Sequence, residues 1–306
     1  MMSANNTLKP DANDLTGRDN QSPAKRFLKP VGLVIGTALL VAAIVFVAGK
    51  EDVFSNALSA ITRPSLPILL LLIFCVLANI VLSGLMFSVL ISRYGKVGLW
   101  QMQALIAAAT LLNFLPLRPG LLGRLAYHKA NNNIPVRHTV LTIVQAIGIS
   151  LGVGIYLMLA LLLCTKTNLP LWVGLAGPLP FFIVASLTNR FRIWALAGFI
   201  RYVEVFVWAA RYYAAFALIG YSINIEEALA FACISMIATL VPFFSNGLGI
   251  REWAIGLAAP LLTAYQLEHG LTAELVNRTG EIAVVLIAGF MGIAWLMHLQ
   301  KKKAGS

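Results

Sequence analysis

Five arginines, Arg118, Arg124, Arg211, Arg251 and Arg278, stand in or beside long apolar runs, with Glu204, Glu252, Glu274 and Glu281 in the same kind of surroundings. A charge at the centre of a bilayer costs at least ~2.5–3.5 kcal/mol, so each of these placements needs compensation. Two chemistries supply it. A guanidinium fork matches the oxygens of a phosphate, which makes such an arginine an anion holder. Alternatively, arginine and glutamate pair within the protein. Arg278 and Glu281 are three residues apart and Glu204 and Arg211 seven apart, spacings that share a helix face, so pairing is the better reading for Arg211 and Arg278.

Arg124 and Arg251 differ, because each lies beside a glycine-rich break. Gly120 precedes Arg124, while Gly247 and Gly249 precede Arg251. Helix starts there would present free backbone N–H groups and the positive end of a dipole. An anionic headgroup site is expected at Arg124 and Arg251, with Arg118 and Arg278 in support and Glu252 and Glu281 as supporting acids. If Arg251 is instead a buried ion-pair partner, Glu281 is a candidate for its carboxylate.

No catalytic residue, cofactor or metal is expected. His128, His138, His269 and His298 share no ligand spacing, and HExxH, P-loop and Rossmann motifs are all missing from the sequence. Cys75, Cys164 and Cys233 lie inside apolar segments, which argues against a disulfide framework.

The elements that must position these arginines are membrane helices. The chain has 306 residues, 59% hydrophobic and 11% charged, whereas a soluble domain carries about 25% charged residues. Its mean hydropathy is +0.83. Runs of eighteen or more apolar residues recur, each able to cross the ~30 Å hydrocarbon core as a helix. The fold class is therefore all-α, a polytopic helical membrane protein. Spans are expected at about 31–48, 66–91, 138–164, 170–188, 204–221 and 272–298. Residues 190–202 read as an interfacial segment with aromatic and arginine anchors. Residues 1–24 read as a disordered cytoplasmic tail and 301–306 as a basic cytoplasmic tail.

Two further apolar runs are broken, one at Pro116 and Gly120 and the other at Pro242, Gly247 and Gly249. If both crossed fully, Arg118, Arg124, Lys129 and Arg137 would fall outside, against the positive-inside rule. Treating 99–130 and 227–266 as re-entrant hairpins gives six full spans, with both termini cytoplasmic. The lysines and arginines then divide as 15 cytoplasmic, 3 external and 5 at membrane depth. The net charge of +11 is thus a membrane-topology signal, and nucleic acid is not an expected partner. Arg124 and Arg251 lie 127 residues apart, as do Tyr94 and Tyr221, which is compatible with an inverted repeat around the two hairpins.

Leu112-Asn113-Phe114-Leu115-Pro116-Leu117-Arg118-Pro119-Gly120, followed by Arg124, resembles the first motif of the lysylphosphatidylglycerol synthase transmembrane-region family, also called flippase-like proteins. Asn246-Gly247-Leu248-Gly249-Ile250-Arg251-Glu252, with Asn277-Arg278 beyond, resembles the second. The sequence departs from the family at Asn246, where Gly is usual, at Leu121, where an acid is common, and at Gln145-Ala146, often Glu-Arg. The resemblance spans about 25–300 and lacks the soluble aminoacyl-transferase domain. It implies a stand-alone, non-enzymatic flippase-like domain in the cell membrane that binds, and in the family's manner translocates, an anionic lipid. A scaffold for a lipid-synthesis complex or an intramembrane lipid-modifying enzyme are the alternatives. A homo-oligomer is left open.

Overall fold

In the computed structural model the described residues are 23–115, 118–241 and 245–304, and among them the regular structure is helical throughout. Pro116 and Pro242, expected as hairpin breaks, lie outside the described residues, as do residues 1–22 of the expected tail. The chain runs through α1 (Pro23–Ala48), α2 (Glu51–Thr62), α3 (Leu66–Ile91), α4 (Leu99–Leu112), α5 (Pro119–Asn132) and α6 (Val136–Thr167). It continues through α7 (Leu171–Ala176), α8 (Leu179–Leu187), α9 (Arg192–Leu218), α10 (Ile225–Leu240), α11 (Ile250–Leu262) and α12 (Leu267–Ala304).

Four helices, Leu66–Ile91, Val136–Thr167, Arg192–Leu218 and Leu267–Lys302, are long and apolar enough to cross a membrane. Their apolar windows are only 28–39% buried within the protein, so most of that surface faces outward. Phe74, Ile287, Phe290 and Met291, for example, are more than 60% exposed. Such a surface suits lipid and not water.

Three segments differ from expectation. Residues 192–202 are not a separate interfacial piece but the first turns of α9, because no proline interrupts them and Gly198 lets α9 sit against Phe182 of α8. The run expected as a single span at 170–188 is split into α7 and α8 at Gly177-Pro178. A Cβ at Gly177 would meet the Tyr156 hydroxyl, which donates to the Gly174 carbonyl at 2.6 Å. The third is α2, a helix the apolar runs gave no reason to expect, which packs on α12. The expected C-terminal tail begins as helix, since α12 extends to Ala304.

The two broken runs form helical hairpins, α4 with α5 and α10 with α11. Helix α10 starts with a reciprocal cap: the Glu227 N–H donates to the Asn224 side chain at 2.9 Å, and the Asn224 N–H donates to the Glu227 carboxylate at 2.8 Å. Helix packing repeats from one half to the other. Helix α3 packs on α4 as α9 packs on α10, α3 on α6 as α9 on α12, and α5 on α6 as α11 on α12. Across the halves, α4 lies on α12 as α10 lies on α6, and α3 lies along α9 at the centre. Each hairpin is thus held by the last long helix of the other half.

Candidate functional site

Helix α12 carries Glu274, Asn277, Arg278 and Glu281 at spacings of three and four, which bring them to one face. That face meets Arg251 and Glu252 of α11 and Arg211 and Tyr212 of α9. Arg251 donates through Nε to Glu274 and through Nη2 to Glu281 Oε2 at 2.8 Å. Arg211 donates to the same Glu281 oxygen at 2.8 Å, to Asn277 at 3.1 Å and to Asn79 of α3 at 3.3 Å. The Tyr212 hydroxyl donates to Glu274 at 2.6 Å, and the Asn277 amide donates to it at 3.1 Å. The Trp208 ring lies against both guanidiniums, 4.5 Å from Arg211 and 5.5 Å from Arg251. Arg278 approaches Glu252 at 3.5 Å and lies over the Phe114 ring at 5.3 Å. Three arginines and three glutamates therefore balance in the core.

The partners differ from those that spacing alone suggested. Arg211 pairs with Glu281 and not Glu204, and Arg278 pairs with Glu252 and not Glu281, because helices from three parts of the chain converge here. Glu204 pairs with Arg201 at 2.8 Å and accepts from Ser83 at 2.8 Å. Arg251 is fully buried. Of the two readings open for it, anion holder or ion-pair partner, its geometry is that of the ion pair.

The hairpin tips meet each other. Arg118, in the left-handed conformation at φ 47°, donates through Nη2 to the carbonyls of Thr239 at 3.2 Å and Val241 at 2.8 Å. Those carbonyls end α10 and have no partner within the helix. The Ser245 hydroxyl donates to the Leu115 carbonyl at 3.2 Å, and Arg278 Nη1 to the Asn246 carbonyl at 2.9 Å. Asn246 has φ 48° and ψ 37°, a turn that glycine takes most readily and asparagine next. Gly120 is required by contact, since a Cβ there would strike the Ala109 carbonyl oxygen. Arg118 is thus a strap between tips, and its guanidinium also reaches the space beside them.

That space is a cavity of about 240 Å³. Asn113, Arg118, Leu121 and Arg124 wall it on one side and Thr239, Leu240 and Asn246 on another, with Phe87, Ile143, Ala146, Ser150 and Arg201 closing it. Arg124 is 7% exposed, and its guanidinium carbon lies 4.3 Å from the Phe87 ring centre. No described carboxylate pairs with it, and its buried Nε has no hydrogen-bond partner among the described residues. Among the described residues its charge meets the Phe87 ring but no carboxylate.

The chain matches no family model, no curated protein and no solved structure.

Of the four arginines expected to hold an anion, the fold brings Arg118 and Arg124 to the cavity and sets Arg251 and Arg278 in the adjoining ion-pair network. Leu121, Ala146 and Asn246, positions where the sequence departs from the motifs it resembles, all line the same cavity. Arg201 was assigned to a membrane surface by its neighbours in sequence, yet it forms part of the cavity wall. From the sequence, Asn79 has no expected role and Asn277 only a place beside Arg278 in the second motif. Asn277 was legible from its place between Glu274 and Glu281, while nothing in the sequence around Asn79 marks it.

Proposed function

We propose that the protein binds the anionic headgroup of a membrane lipid in the cavity where the two hairpin tips meet, and carries it between leaflets. The observation that supports this most is Arg124, buried, facing the cavity and without a carboxylate partner among the described residues. A charge left so is costly unless a ligand compensates it. Arg118 adds positive charge to the same wall, while Arg201 there is paired with Glu204. The volume also bears on the ligand. Pockets for whole drug-sized molecules begin at roughly 300 Å³, so about 240 Å³ suits one phosphate headgroup whose chains remain in lipid.

The membrane arrangement that goes with this reading has six crossings: α1, α3, α6, the α7–α8 pair, α9 and α12. The α4–α5 and α10–α11 hairpins enter from opposite faces, as in an inverted repeat, with both termini cytoplasmic in the cell membrane. Tip-to-tip bonds such as Arg118 to Val241 support opposed entry, and broken helices meeting near the midplane are a common way to build a carrier. The motif resemblance to flippase-like proteins points the same way.

The test has two arms. Purified protein is titrated with dihexanoyl phosphatidylglycerol and, separately, with inorganic phosphate. The wild type should bind the lipid and Arg124→Gln should lose about tenfold or more in affinity, the value of a charge-assisted hydrogen-bonded contact. Binding of inorganic phosphate alone would point to a soluble ligand. In the second arm, labelled phosphatidylglycerol in reconstituted vesicles reports movement between leaflets. Binding without movement would make the protein a lipid-holding scaffold and not a carrier.

A further inference from the structure

A second, much smaller cavity of about 10 Å³ lies behind the first, close to the size of a single water. Phe87, Arg124 and Ile143 belong to the walls of both, so Arg124 stands in the partition. The small cavity is completed by His128, Thr139, Thr142, Ile91, Met102 and Ile106. His128 is 3% exposed and follows Arg124 by four residues on α5, so the two side chains share a helix face at roughly 5–6 Å between Cβ atoms. His128 Nδ1, Thr139 Oγ1 and Arg124 Nε are all buried with no hydrogen-bond partner among the described residues. Three polar groups of one small chamber are thus left with unmet hydrogen-bonding capacity beside a cation.

The charges facing His128 can be taken element by element. Helix α3 contributes Phe87 and Ile91 to the chamber and α4 contributes Met102 and Ile106, none of which titrates. Helix α6 contributes Thr139, Thr142 and Ile143, and its His138 is stacked on Tyr94 with ring centres 4.5 Å apart. On α5 itself Lys129 is exposed, as is Arg137 at the start of α6, and the Tyr127 hydroxyl accepts from Gln101 at 2.9 Å. Arg124 is therefore the charge His128 faces across the chamber, with no described carboxylate to offset it.

We infer that His128 is a proton site coupled to the anion site, so that an anionic headgroup at Arg124 and a proton at His128 bind together. A proton on His128 places a second positive charge beside Arg124, which is unfavourable while Arg124 is unanswered. An anion in the large cavity cancels that repulsion. By reciprocity, a proton on His128 strengthens anion binding by the same factor. The coupling rests on the headgroup reading above, and it gives that site a means to draw on a proton gradient.

Calorimetry on the purified wild-type protein tests it. The probe is dihexanoyl phosphatidylglycerol, whose phosphodiester keeps its charge across the histidine range. Titration near pH 7 in two buffers of different ionisation enthalpy counts the protons taken up on binding. A fractional uptake per lipid is expected, with affinity about tenfold higher near pH 5.5 than near pH 8, the bound headgroup placing His128 in the ordinary histidine range. His128→Gln should still bind while losing both the uptake and the pH dependence. Binding without proton uptake would overturn the coupling and leave the headgroup reading intact. Uptake that persists in His128→Gln would overturn His128 as the carrier. If the wild type fails to bind at any pH, both readings fall.

Discussion

Arg124 and Arg251 stand in similar sequence contexts, each a few residues beyond a glycine-rich break, yet one faces an open cavity and the other two carboxylates. What separates them is α12, which sets Glu274 and Glu281 against α11 and has no acidic counterpart against α5. Local sequence could not supply that difference, because it depends on which helix lies across from which. The ion-pair geometry at Arg251 gives the first prediction. Arg251→Ala strands Glu274 and should lower stability by about 3–5 kcal/mol on soluble-protein precedent, with smaller values usual in membranes. Adding Glu274→Gln should recover part of the loss in thermal unfolding. A loss that Glu274→Gln fails to relieve would mean that the Tyr212 and Asn277 bonds alone suffice to hold the carboxylate. At Asn246 the backbone gives the second. With φ at 48°, Asn246→Gly should be tolerated and Asn246→Val should lower the melting temperature, since a β-branched residue resists that conformation. Equal behaviour of the two variants would contradict the turn.

The long helices were readable because lipid demands a simple signal, a run of apolar residues with every backbone group satisfied within the run. The hairpins were readable because such runs stopped at Gly and Pro. Less legible were the elements whose boundaries depend on packing. Helix α9 absorbs its first turns because Phe182 of α8 covers Gly198, and α7 parts from α8 where Tyr156 bonds to Gly174. Between the hairpins, Arg118 is a strap whose partners, Thr239 and Val241, lie more than 120 residues along the chain. Arg118→Ala leaves the end carbonyls of α10 without those bonds and should cost about 2 kcal/mol, in the range of hydrogen bonds to charged groups. Amide exchange should rise at Ser245–Gly249 more than in the body of α10. Exchange unchanged at those amides would show that the tips hold together without it.

For the whole molecule, the division of lysine and arginine remains the argument for which way the protein faces. A cysteine placed at Lys129 or Arg137, both exposed, should be labelled only from the cytoplasmic side. The native Cys75, Cys164 and Cys233 are buried, so they leave a low background for a bulky polar reagent. Labelling from outside would remove the opposed hairpins and the carrier reading that depends on them.

The exchange of hairpins between halves also has a consequence for how the protein is made. Helix α4 leaves the ribosome well over a hundred residues ahead of α12, the helix that will support it, a wait on the order of ten to forty seconds at about 5–20 residues per second. During that time the α4–α5 hairpin, with Arg124 among apolar walls, has to be tolerated without its final neighbour. The first half is thus made before its support, and its hairpin is expected to seat only when the last helix inserts. A nascent chain arrested before Leu267 should leave 99–132 open to protease, and releasing α12 into the membrane should close it.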